Sequence, residues 1–423
     1  MTEDKNLLQQ IREGWQDTFY IWRKEMRSVF TDEGVLLFLV IVPLLYPVIY
    51  SWIYTNEVVR DVPVAVVDMD HSQLSREIIR KIDASADTKI AAYCNSIEDG
   101  RDLVGRQRAK GVIYIPADFS RKVYRHQQAH LSLYCDMTIM LNYKAIYQTT
   151  NAVCSQINSR IQIQQSGSFT TRDEEITAEP FKMRDVPIFN STIGYGNAIL
   201  PPVYVLILYQ TLLLAIGLSA GTARENNRYK ELVPVSQHYN GILRIVLGKS
   251  FCYFLFCCIN ATVLTVVMPH LFRFTTMVHA ADLLPFMFAF VLASIFFGMA
   301  ASCLVRYREN VILLVIFTSV PLLFMTGTSW PQSNIPKFWQ WVACIFPATF
   351  GQRGYVRLSS MGGDLHDVQF EYQGLWIQTA IYFILTCLVY RYQIEKSKRQ
   401  SKKKLKQIGE AIDNSESVEQ PSA

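Results

Sequence analysis

Six stretches of the chain contain no Asp, Glu, Lys, Arg or His: Gly34 to Ile53, Ala198 to Ala220, Phe251 to Met268, Leu283 to Val305, Val311 to Trp330 and Leu375 to Tyr390. About twenty apolar residues in a helix cross roughly 30 Å of hydrocarbon, so each run predicts a transmembrane helix. The shorter runs have soft boundaries. Six such runs exceed what the core of a soluble protein hides. The first is too long for the apolar region of a signal peptide, and it leads into Trp52 and Tyr54 rather than a small-residue cleavage site.

Basic residues between the runs set a topology. Arg12, Arg23, Lys24 and Arg27 precede the first run, and Arg224, Arg228, Lys230, Arg244 and Lys249 separate the second from the third. Arg306 and Arg308 lie between the fourth and fifth, and "RYQIEKSKRQSKKKLK" follows the sixth. With both termini cytoplasmic, all of these obey the positive-inside rule. The expectation is a multi-pass protein of a bacterial inner membrane. The loop near Arg273 and the segment Pro331 to Gly374 then lie outside.

The same topology puts residues 54–197 outside the cytoplasm, where the pattern changes. "VPVAVVDMD" reads as a strand buried on both faces, and "HSQLSREIIRKIDAS" as a helix capped by Ser72 or Ser75. Strand and helix patterns alternate through "HLSLYCD", which predicts an α/β domain with a partly parallel sheet. "IMLNYKAIYQTTNAVCSQINSRIQIQQ" predicts one helix about 40 Å long. "SGSFTTRDEEITAEP" reads as a polar loop. Asp68, Asp70 and Asp136, at strand ends, fit capping of turn amides better than a metal site. Cys94, Cys135 and Cys154 match no metal spacing and leave one disulfide or free thiols open. The fold class expected is an α-helical membrane protein: six transmembrane helices with an inserted extracytoplasmic α/β domain.

Composition agrees with this picture. Of 423 residues, 50% are hydrophobic and only 18% charged, with net charge +5. Carriers driven by ion gradients usually hold ionisable groups at membrane depth, and the six runs have none. Gln210 and Asn260 read as interhelical hydrogen-bonding residues, and Pro43, Pro47, Pro201, Pro202, Pro285 and Pro321 as sources of kinks.

The polar segment from Gly221 to Ser250 ends in Gly248, Lys249 and Ser250, which suggests a phosphate loop. That loop needs GxxxxGK[ST] after a strand, and Leu243 stands where its first glycine belongs. Lys249 is instead expected to snorkel at the cytoplasmic end of the third span. No zinc helix, nucleophile elbow or paired carboxylates lie near a span, so no catalytic residue, metal or cofactor is expected in this chain.

Before the first run, Trp15, Phe19, Trp22, Met26 and Val29 fall at helical spacing opposite Arg23, Lys24 and Arg27, which predicts an amphipathic interfacial helix within residues 1–33. Pro331, Ile335, Pro336, Phe338, Trp339, Trp341 and Phe346 predict short external helices in the interface within residues 331–374. The basic tail, residues 393–423, reads as an orientation and anionic-lipid signal with a disordered end in "AIDNSESVEQPSA".

Three pieces carry a family resemblance: "VPVAVVDMDHSQLSREIIRKIDAS" with the later "KGVIYIPADFSRKV", the loop opening "GTARE", and "MTGTSWPQSNIPKFWQWVACIFPATFGQRGYVRL". In this order they resemble the ABC-2 type exporter permeases that carry a large external domain between the first two spans. The resemblance implies two permease chains, a homodimer or a heterodimer, and two separate ABC ATPase subunits that bind ATP and Mg. It implies that Arg224, Glu225, Arg228, Tyr229, Lys230, Glu231 and Leu232 couple to the ATPase, with Leu232 and Val233 as apolar anchors. It also implies an exit gate around Gly327, Pro331, Pro336, Trp339 and Pro347, for which simple anchoring in the interface is the alternative. The family's Gly-Thr-Leu-Glu run after Arg-Glu is replaced here by "NNRYKEL".

These expectations point to the membrane-spanning subunit of an ATP-driven exporter of a small amphipathic, lipid-like or drug molecule. Membrane lipid is a partner, an external adaptor protein is not excluded, and nothing suggests nucleic acid. The alternative is a membrane-anchored envelope binding or assembly protein that acts through its external domain without transport.

Overall fold

The structure is a computed structural model that describes the chain except for residues 1–6, 56–57, 168–169, 179–180, 182–185, 187, 191–193, 237, 239, 303–304, 306, 328 and 419–423. Arg306, used above for topology, lies outside the described residues. Two units result: Met1–Thr55 with Phe189–Ala423, and Asn56–Ile188.

The first unit contains six helices long and apolar enough to cross a membrane: Glu33–Ile53, Tyr195–Glu225, Gly241–Phe272, Ala280–Ala301, Arg308–Met325 and Gln369–Gln400. Each overlies one predicted run, so the chain is an α-helical membrane protein. Their ends extend beyond the apolar runs, at the third span because polar side chains find partners within the protein. The third span starts at Gly241 and takes in Arg244 and Lys249, both buried. The helix of the sixth span continues to Val418 in place of the predicted disordered end. Beyond Tyr390 it is rich in Lys, Gln and Glu and lacks proline, a composition that suits a helix.

One proline is accommodated by a side chain from another span. Pro43 has no N–H for the Leu39 carbonyl one turn back, and Asn260 Nδ2 in the third span donates to that oxygen at 2.8 Å. A π-helical turn, Leu37–Ile41, lies just before this proline. At Pro47, the Ser51 hydroxyl donates to the proline's carbonyl at 2.6 Å and lies 2.7 Å from Tyr204 Oη of the second span. Asn260 therefore acts as expected. Gln210 does not: its buried Nε2 has no partner among the described residues.

Two short helices, Lys337–Ala343 and Pro347–Met361, separate the fifth and sixth spans. At about 1.5 Å per residue neither crosses the hydrocarbon. The second packs against the fourth span at Gly354, where an added Cβ would lie 2.2 Å from the Phe286 ring.

The inserted unit is an α/β domain. Strands β1 (Val62–Asp68), β2 (Thr88–Tyr93), β3 (Gly111–Ile115) and β4 (Ser132–Cys135) form one sheet in the order β2-β1-β3-β4. β1 runs parallel to β2 and β3, and β4 is antiparallel to β3. Val62, Val64 and Val66 bury one face of β1 with Ile78, Ile82 and Ile146, while Ala65 and Val67 bury the other with Val112. The acids serve turns, as the sequence suggested. Asp68 Oδ1 accepts the amides of Asp70 and His71, Asp70 accepts from Ser120, and Asp136 accepts from Thr138. Ser72 is the helix cap, accepting from the Ser75 amide. Met140–Ser166 is one helix ending at left-handed Gly167. The predicted polar loop contains a helix, Thr171–Ala178, with Asp173 and Glu174 in its first turn, where acids favour helix. Cys94, Cys135 and Cys154 are free thiols.

Replacing Asn260 with Leu removes the donor to the Leu39 carbonyl. We expect the purified protein to lose about 0.5–2 kcal/mol, the range for interhelical hydrogen bonds in membranes, measured as a lowered unfolding midpoint.

Candidate functional site

One end of the membrane unit carries the basic residues of four segments, and a non-crossing helix, Leu7–Thr31, pairs with Arg244 and Lys249 of the third span. Ile21, Glu25 and Val29 lie one turn apart on this helix and are buried. They face the third span at Gly248, where an added Cβ would stand 2.7 Å from the Thr18 carbonyl oxygen and 2.9 Å from Ile21 Cβ. Only glycine permits that approach. The sequence "GKS" is thus a helix-docking point and no phosphate loop.

Lys249 does not snorkel. Its Nζ donates to Glu25 Oε2 at 2.7 Å, with both side chains 9% exposed, and lies over the Tyr390 ring. Tyr253 Oη and Ser219 Oγ donate to Glu25 Oε1 at 2.7 and 3.1 Å. Burial acts to raise the Glu25 carboxyl pKa, but the Lys249 charge and these three hydrogen bonds outweigh it and hold the pKa below the ordinary value. A buried charge pair with the carboxylate's oxygens both engaged is the arrangement that keeps ions stable in a low dielectric.

Further pairs extend the junction. Asp17 accepts from Arg244 at 2.6 Å and lies 2.9 Å from His238 Nδ1. Burial opposes its charge, but these two partners keep its pKa lowered. Lys24 pairs with Glu231 at 2.5 Å, and Arg308 with Asp32 at 2.6 Å.

The residues expected to face an ATPase separate into inward and outward groups. Arg224 donates to the carbonyls of Ser302 and Val305 at the end of the fourth span, and Glu225 accepts the Arg308 amide at the start of the fifth. A cation at a helix C-terminus and an acid at an N-terminus are each favourable, so this adjacent pair clamps the turn between two spans. Tyr229 and Leu232 are 4% and 6% exposed within the unit, and Tyr229 packs against Tyr390. Leu232 is therefore an internal anchor. Arg228, Lys230 and Glu231 are exposed, and Val233 is half-buried.

The amphipathic helix is also divided. Trp15 and Phe19 are 74% and 58% exposed, whereas Trp22 and Met26 pack partly against the core and Val29 is fully buried. The predicted apolar face is thus two faces, one outward and one toward the third span. At the opposite end of the spans, Gly327 holds a turn at φ +88°, Pro331 precedes a 3-10 turn and Pro336 starts Lys337–Ala343. Trp339 is half exposed, and Pro347 is buried at the start of its helix. Gln340 Nε2 ties these turns together by donating to the carbonyls of Gln332 and Ile335.

Sequence reasoning missed Glu25, Asp17 and Asp32. The available signal was Glu25 itself, a lone acid in register with Ile21 and Val29.

The profile of the ABC-2 family transporter proteins matches residues 34–390. The chain belongs to this family. The "Probable multidrug ABC transporter permease YbhR" of Escherichia coli strain K12 is 21% identical over 330 residues, covering 77% of this chain and 84% of that protein. The same-named protein of E. coli O157:H7 matches to the same extent. This ABC-2 protein is accordingly a multi-pass membrane permease subunit of a transporter.

Removing one partner of a buried pair strands the other. Glu25→Ala or Lys249→Ala in this permease should each lower stability by about 3–5 kcal/mol, while Glu25→Leu with Lys249→Met should recover most of the loss in chemical unfolding. Because the Glu25 pKa is depressed on folding, its contribution is complete above the unfolded value near 4.5 and disappears as pH falls through the lower folded value. Wild type should therefore lose stability relative to the double variant as pH falls from about 4.5 towards the lower folded value, measured by unfolding across pH.

Proposed function

We propose that this permease is the membrane-spanning subunit of an ATP-driven exporter that moves a small amphipathic, lipid-like or drug molecule out of a bacterial cell. Both termini lie in the cytoplasm, and the inserted domain lies outside. Two ABC ATPase subunits supply the energy, holding ATP and Mg that this chain does not bind. A second permease chain, a copy or a sister, completes the pathway. The multidrug description of the E. coli relative supports the choice of cargo class.

One observation carries the coupling role. Arg228, Lys230 and Glu231 point outward from a short 3-10 turn, Arg228–Leu232, while Tyr229 and Leu232 of that turn are buried in the unit. Exposed charges steer a partner, and buried side chains on the same turn pass its displacement inward. Beneath it, Lys24 ties the turn to the amphipathic helix, and Glu25 ties that helix to the third span. Arg224 and Glu225 are positioning residues for the turn between the fourth and fifth spans. A push on Arg228–Leu232 therefore reaches four spans through polar contacts that have direction.

Charge reversal at the outward positions tests this reading. Arg228→Glu with Lys230→Glu should weaken copurification of the partner ATPase by about tenfold and abolish ATP-dependent export. The thermal midpoint of the isolated permease should not change. Unchanged ATPase capture and export would remove the coupling role from this turn.

A further inference from the structure

The inserted domain has an open cleft of about 670 Å³ between the long helix Met140–Ser166 and the chain that runs from a short helix, Phe119–Tyr124, into β4. This is within the range of pockets that hold small ligands. Its floor belongs to the core of the domain: Ile78, Phe119 and Ile157 are buried, and Leu131, Leu133 and Ile161 pack half-buried against that cluster. One wall presents Tyr147, Asn151, Asn158, Gln162 and Gln165, which recur along a single face of the long helix.

The polar groups of this wall are free to meet an occupant. Asn151, Asn158 and Gln162 are exposed, as is Gln127 of the connecting chain, and none of their side-chain amides holds a hydrogen bond among the described residues. Residues 56–188 are rich in charges of both signs, yet among the described residues no Asp, Glu, Lys or Arg lines the cleft. An ionic ligand would leave water there without a counter-ion, which is costly. A hydroxyl group both donates and accepts, as an amide does, so a hydroxyl-bearing molecule engages this wall without charge. The apolar floor favours an apolar part in the same molecule.

We propose that this cleft binds an uncharged amphipathic molecule with several hydroxyl groups, the chemistry of an alkyl glycoside. The hydroxyls bond the amides of Asn151, Asn158 and Gln162, and the apolar chain covers Ile157, Ile161 and Leu131. Tyr147, 49% exposed, stacks on Tyr143 at 5.7 Å, which holds its ring as a fixed apolar plane at the cleft. An occupant therefore braces the long helix against the chain that leads into β4. The proposal does not depend on the export reading, and its failure leaves that reading untouched.

The test uses the full chain in lipid nanodiscs, with hexyl β-glucoside as the probe and backbone hydrogen exchange followed by mass spectrometry. Because His126 and His130 also line the cleft, the measurement is made at about pH 8, where an ordinary imidazole is neutral. The glucoside should slow exchange in residues 119–131 and 147–165. It should leave Ile97–Gly105, a helix packed on the other face of the sheet, unchanged. Asn151→Ala with Asn158→Ala, both at exposed helical positions, should raise the concentration for half the effect by about tenfold, as expected for two lost neutral hydrogen bonds. Gln164→Ala, which removes an exposed amide of the same helix outside the cleft, should behave as wild type. Hexyl sulfate and hexyltrimethylammonium, with the same chain and a charged head, should not slow exchange at the same concentrations. No slowing by the glucoside, equal slowing by either ion, equal slowing in Ile97–Gly105, or an unchanged half-effect in the double variant would overturn the proposal.

Discussion

The membrane unit depends on a contact between a carboxylate and an ammonium group kept away from water. Glu25 and Lys249 are each 9% exposed at the side chain, so either alone would face the full desolvation cost of a buried ion. Together, with Tyr253 and Ser219 completing the carboxylate's hydrogen bonds, they fix a helix that packs along the first half of the third span. Everything outward of that helix inherits its position: the Asp17 pairs with Arg244 and His238, the Lys24 pair with Glu231, and the turn that holds Arg228 and Lys230. Gly248 makes the contact possible by leaving room for the approaching backbone.

Hydrogen-bond accounting explains much of the remainder. In hydrocarbon, a proline's missing donor has no water to replace it, and Asn260 replaces it for Pro43. At the turn between the fourth and fifth spans, carbonyls and an amide left over at two helix ends are satisfied by two consecutive residues, Arg224 and Glu225. These two therefore belong to the frame of the permease, whereas Arg228 and Lys230 are exposed.

The spans were legible in the sequence because a bilayer sets a length and excludes charge, a constraint acting on contiguous residues. The inserted domain was legible for a similar reason: β1 is apolar on both faces and Ser72 marks the next helix. The ends of the spans were less so. Arg244 and Lys249 look like loop residues until their partners at Asp17 and Glu25 are known, and those partners are far away in the chain. The same distance hid the roles of Leu232 and Val29, whose apolar character fits an ATPase interface, a lipid surface or an internal seam equally well. Composition identifies a side chain that needs burial, and only tertiary contacts say against what.

If the buried pair fixes the coupling turn to the amphipathic helix, the two must move together through the ATP cycle. The direct measurement is the distance between spin labels at Arg27→Cys and Lys230→Cys, both exposed sites, in the assembled transporter lacking its native cysteines. The account predicts one narrow distance that is the same without nucleotide and with ATP and vanadate trapped, and a broadened one in Glu25→Gln. A distance that shifts on trapping while Glu25 and Lys249 are intact would contradict it.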